Sequence, residues 1–68
     1  MKLKDFITNR DFDVNVDYEI YHGIWNDGGE CIWDSVMGRL SQDDLIARYN
    51  IAYITVDINT RKIIIEVA

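Results

Sequence analysis

Val14-Asn15-Val16-Asp17-Tyr18-Glu19-Ile20-Tyr21-His22-Gly23-Ile24-Trp25 alternates without a break, and Asn26-Asp27-Gly28-Gly29 and Glu30-Cys31-Ile32-Trp33-Asp34 follow it directly. Even positions from Val14 to Ile24 point one way and odd positions the other, the period of a strand with one buried face. Asp27-Gly28 suits the centre of a two-residue hairpin turn, where both residues need positive φ, so residues 30–34 read as the returning strand. That register sets Trp25 opposite Glu30, Ile24 opposite Cys31, Gly23 opposite Ile32, His22 opposite Trp33 and Tyr21 opposite Asp34. Cys31 and Trp33 then join the Val/Ile face. Tyr21, Trp25 and Ile32 share the other face with Asp17 and Glu19.

Upstream, Leu3, Phe6 and Ile7 form the apolar stripe of a short helix over 3–9. Its length demands docking on a core, because isolated helices this short do not persist in water. Downstream, Ser41-Gln42-Asp43-Asp44 has the form of a helix start, with Ser41 as N-cap and Leu40 and Leu45 as a hydrophobic staple. This second helix is expected over 42–49, burying Leu45, Ile46 and Tyr49 and ending at Asn50. Residues 35–40 have no assignment, and folding over the Tyr21–Trp25 patch is one place for them.

The last 18 residues alternate again. Ala52, Ile54, Val56 and Ile58 share a face continued by Ile63, Ile65 and Val67, while Tyr53, Thr55 and Asp57 take the other. A turn centred on Asn59-Thr60 pairs Asp57 with Lys62 and Val56 with Ile63. The fold expected is α+β in the order α-β-β-α-β-β. Two hairpins form a small antiparallel sheet, and two short helices pack on one face. The 68 residues fit one domain, 1–68.

Twelve acids against seven bases give a net charge of −5. The excess is concentrated: Asp11, Asp13, Asp17, Glu19, Asp27, Glu30 and Asp34 occupy a stretch without Lys or Arg. Such a surface repels phosphate backbones, so direct nucleic-acid binding is not expected. Cys31 is the only cysteine, which rules out an internal disulfide and a thiolate zinc site and fits a cytoplasmic setting. No apolar run is long enough to span a membrane.

Met1-Lys2-Leu3-Lys4-Asp5-Phe6-Ile7, Asp11-Phe12-Asp13-Val14-Asn15-Val16, Tyr53-Ile54-Thr55-Val56 and Ile63-Ile64-Ile65-Glu66 carry a family resemblance. Together they resemble small uncharacterised proteins of phages, prophages and conjugative elements in gut bacteria. The resemblance implies an accessory factor in the life cycle of a mobile element, and nothing sharper.

Catalysis finds little support. His22 and Cys31 are nearly opposite in the first hairpin and would suit a thiolate–imidazole pair, but the same register turns both toward the core. No enzyme, cofactor or metal is expected. Gly28 and Gly29 lack the strand-to-helix setting of a phosphate loop, and the ligand spacing of a calcium loop is absent. The expected role is protein binding through Asp17, Glu19, Tyr21, Trp25, Glu30, Ile32 and Asp34, toward a basic partner or a second copy of the chain. An inhibitor that mimics nucleic acid is the alternative; an enzyme using His22 and Cys31 is a remote one.

Overall fold

Leu3, Phe6 and Ile7 organise the first element as their spacing requires: helix α1 spans Leu3–Thr8, with Leu3 fully buried and Phe6 and Ile7 packed on the core. The computed structural model describes residues 1–8, 17–38 and 40–68. Asp11, Asp13, Val14 and Val16, which figured in the acidic stretch and the first alternating face, lie outside the described residues.

Four strands follow: β1 (Tyr18–His22), β2 (Glu30–Asp34), β3 (Ile51–Asp57) and β4 (Lys62–Val67). They form one sheet in the order β2-β1-β4-β3. The two hairpins are antiparallel as expected, but β1 and β4 join them in parallel, pairing Tyr18 with Ile63, Ile20 with Ile65 and His22 with Val67. The sheet is therefore mixed, a correction to the all-antiparallel expectation. Ile63-Ile64-Ile65 is the sequence mark of this arrangement, since a strand buried on both faces reads as a continuous apolar run. Ile64 is indeed fully buried on the face opposite Ile65.

The core lies on the face bearing Ile20, Ile65 and Val67, closed by Leu3 and Leu40 and flanked by Tyr18, Ile32, Trp33, Ile46, Tyr49, Ile51 and Ile63. Burying a side chain of this size stabilises by about 1.5–3 kcal/mol, so Ile20 and Ile65 side by side anchor the β1–β4 pairing.

The second helix is shorter than expected. Leu45–Arg48 forms a single 3-10 turn, and its cap is Asp44, whose carboxylate accepts the Ile46 N–H at 3.1 Å. Ser41 instead accepts the Asp43 N–H at 3.1 Å, one turn earlier. Two successive side-chain caps divide the segment into turns, which competes with a continuous helix. Leu45 is 75% exposed, so no staple forms with buried Leu40.

Candidate protein interface

The first hairpin departs from the expected register, and the departure redistributes the candidate residues. Glu19 pairs with Asp34 and Ile20 with Trp33; a bulge then sets Tyr21 opposite Cys31 and His22 opposite Glu30. Ile32 is the extra residue. A strictly alternating strand cannot present neighbouring Ile32 and Trp33 to one core, and a bulge can. The consequence is that Cys31 changes face: it is exposed, not buried, and its Sγ donates to the Trp33 carbonyl at 3.4 Å.

The strand also ends earlier than its alternation suggests. Gly23 takes φ +99°, and a loop through Gly29 replaces the two-residue turn. The Ile24 carbonyl accepts from Asp27 N–H at 3.0 Å and Gly29 N–H at 2.8 Å, with Gly28 at φ +85°. This is the six-residue closure of a Schellman-type turn, with glycine in its left-handed position. Ile24 is consequently 57% exposed instead of facing the core.

Of the seven residues expected to form an interface, Glu19, Tyr21 and Asp34 share the sheet face opposite the core. Ile32 packs toward the core, Glu30 is exposed beside His22 on the core side, and half-buried Trp25 sits in the loop. Exposed Asp17 precedes β1 and accepts a hydrogen bond from the Ser35 hydroxyl at 3.4 Å. The unassigned segment does not close over the tyrosine. Ser35–Met37 is a 3-10 turn capped by Asp34, with Val36 and Met37 exposed, and Leu40 enters the core. Trp33 Nε1 donates to the Gly38 carbonyl at 3.2 Å, and Leu40 N–H donates to Tyr18 Oη at 3.3 Å; both bonds draw the segment to the core side.

The parallel pairing supplies residues that local reading could not join to this face. Tyr21 lies beside Glu66 and Glu66 beside Tyr53, so Cys31, Tyr21, Glu66 and Tyr53 form a row across all four strands. The adjacent row is Asp34, Glu19, Ile64 and Thr55. Both tyrosines were visible as outward positions in their own hairpins. Their common face depends on β1 lying next to β4.

Lys62 Nζ lies 3.8 Å from Glu19 Oε2 and 3.6 Å from Asp34 Oδ2, linking three strands. The Val36 N–H, bonded at 3.0 Å, and Lys62 together hold the Asp34 carboxyl below its ordinary value. Burial, followed by the Glu19 carboxylate and the Cys31 thiol, raises the Tyr21 hydroxyl, so it remains a neutral donor at physiological pH. Among the described strand residues this face carries Glu19, Asp34, Asp57 and Glu66 against one cation, Lys62, around the fully buried Ile64. Its exposed end is aromatic, with Tyr53 60% accessible.

His22 and Cys31 end on opposite faces of the sheet. The His22 ring instead meets Tyr49, with centroids 5.2 Å apart, and the thiolate–imidazole pairing allowed by the sequence is not made. Among the described residues, no three His, Cys, Asp or Glu side chains cluster as metal ligands, and no helix is long and apolar enough to cross a membrane. No protein-family model matches the sequence, and no curated protein or solved structure shows detectable similarity to it.

Proposed function

We propose that this protein is a small binding module that recognises a basic protein segment through the Tyr21–Glu66–Tyr53 row. The observation behind the proposal is the placement of a carboxylate between two tyrosines on a face where, among the described strand residues, four acids meet one lysine. Such a surface attracts a cation from a distance, and its aromatic rings supply contact area and cation–π attraction at close range. Arginine fits best, because its planar guanidinium can pair with Glu66 while stacking on a tyrosine. An accessory role for a mobile element in the cytoplasm is consistent with this reading and belongs to the same proposal.

A test uses defined peptides and the amide resonances of the intact chain. Arg-rich peptides should shift Tyr21, Tyr53 and Glu66, Lys-rich peptides should bind more weakly, and Glu66→Gln should abolish the difference. The proposal fails if basic peptides leave these residues unmoved or perturb all surface acids alike. Nucleic-acid mimicry gives a different result: binding to a DNA-binding domain that is competed by duplex DNA and draws equally on Asp17, Asp27 and Glu30.

A further inference from the structure

Strand β3 is an edge strand, and the described residues cover its outer side only in part. Ile51 N–H donates to the Met1 carbonyl at 2.8 Å and Leu3 N–H to the Tyr49 carbonyl at 2.8 Å, so the start of the chain lines the edge up to Ile51. The register slips between Ile51 and Tyr53. From there to Asp57 no strand among the described residues pairs with the outer side of β3.

The direction of the free backbone groups follows from β4. Ile63 N–H donates to Asp17 and the Val67 carbonyl accepts from Gly23, so the odd residues of β4 address the β1 side. Lys62, Ile64 and Glu66 therefore address β3, through Asp57, Thr55 and Tyr53. In an antiparallel ladder this leaves the N–H and C=O groups of Ile54 and Val56 pointing outward. Their side chains lie on the core side, opposite Ile65 and Ile63, yet remain 39% and 58% exposed; Ile58 beyond them is 82% exposed.

We infer that this edge pairs with the same edge of a second copy, antiparallel about a two-fold axis through Thr55, giving a continuous eight-stranded sheet. In this register Ile54 faces the partner's Val56 and each satisfies the other's free backbone groups. Thr55 meets its own copy, a favourable cross-strand pair, and Tyr53 comes opposite the partner's Asp57, a donor facing an acceptor. No like charges are opposed. Sliding the register by two residues in either direction brings an exposed strand residue against the Ala52 irregularity or the Asn59–Thr60 loop, so the Thr55-centred alignment uses the edge most fully. The exposed portions of Tyr53, Ile54, Val56 and Ile58, with the open backbone, offer at most about 1,000 Å² across two copies, the lower limit for a specific interface and the size of a weak, concentration-dependent dimer. From Tyr53 to Val56, beyond the irregularity at Ala52 and the stretch lined by the start of the chain, the edge carries no lysine, proline or inward charge to discourage pairing.

The test combines sedimentation with cross-linking of the full chain. The native protein should sediment as a dimer at high micromolar concentration, and Val56→Lys as a folded monomer with native-like amide dispersion. In a Cys31→Ser background, Thr55→Cys should form a symmetric disulfide rapidly, because non-hydrogen-bonded partners lie about 4.5 Å apart at Cα. Tyr53→Cys, out of register with itself, should not. A native monomer at millimolar concentration would overturn the inference. So would a dimer that survives Val56→Lys or that Thr55→Cys fails to trap. Peptide binding at the tyrosine row by monomeric Val56→Lys would keep the two proposals separable.

Discussion

Gly29→Ala is the sharpest test of the first hairpin, because the two-residue turn suggested by Asp27-Gly28 and the observed loop give opposite rankings. In the two-residue turn, Gly28 would be indispensable and Gly29 an ordinary flanking position. In the fold, a Cβ on Gly29 would lie 2.5 Å from the Ile24 carbonyl oxygen and 2.7 Å from its carbon. Those are backbone atoms, so no side chain can rotate away. The Ile24 segment must move, breaking the 2.8 Å bond from Gly29 N–H and straining the 3.0 Å bond from Asp27 N–H. One lost hydrogen bond and the accompanying strain cost about 2–4 kcal/mol. Gly28 has open space at its Cβ and only its φ of +85° to relieve, so Gly28→Ala should cost about 1 kcal/mol. With roughly 4–8 °C of melting temperature per kcal/mol in a domain of this size, Gly29→Ala should melt about 8–30 °C lower and Gly28→Ala about 4–8 °C lower. Urea and thermal denaturation followed by far-ultraviolet circular dichroism measure both. Equal losses, or a larger loss for Gly28→Ala, would refute the Ile24–Gly29 closure.

Lys62→Met should destabilise by about 1 kcal/mol, because Glu19 and Asp34 then face each other without a cation, and urea titration should show it. The carboxyl of Asp34 titrates below its ordinary value in the fold. Its stabilising share is therefore present above about pH 4 and lost as pH falls through that lower folded value, a decline that Lys62→Met should reduce without abolishing, since the Val36 bond remains. Cys31 should react fully with a thiol reagent in the native state, where an inward cysteine would be protected; slow labelling would argue against the bulge at Ile20–Tyr21. Arg61 holds φ 58° in the second turn, so Arg61→Gly should raise stability by about 0.5–1 kcal/mol, readable as a higher urea midpoint.

The amino-acid sequence by itself determined several elements whose contacts are local, though not the helix over 42–49 or the Asp27-Gly28 turn. The 3–7 spacing of α1, the bounds of β2 and the pairing of Asp57 with Lys62 across the second turn all depend on residues a few positions apart. Asp57 reinforces that turn by accepting from Asn59 N–H and the Thr60 hydroxyl. Only the tertiary structure decided what lies beside what. The parallel β1–β4 pairing, which brings Tyr21, Glu66 and Tyr53 onto one face, joins segments more than forty residues apart and is selected by burial of Ile20, Ile64 and Ile65. The bulge that sends Ile32 inward and Cys31 outward has the same origin: local alternation ranks faces by polarity, whereas the core accepts whichever backbone lets Ile32 and Trp33 both reach it. A period of two can be counted along the chain. The neighbour across the sheet is chosen by the whole fold, because its stabilisation comes from area buried between segments that do not meet until the chain has collapsed.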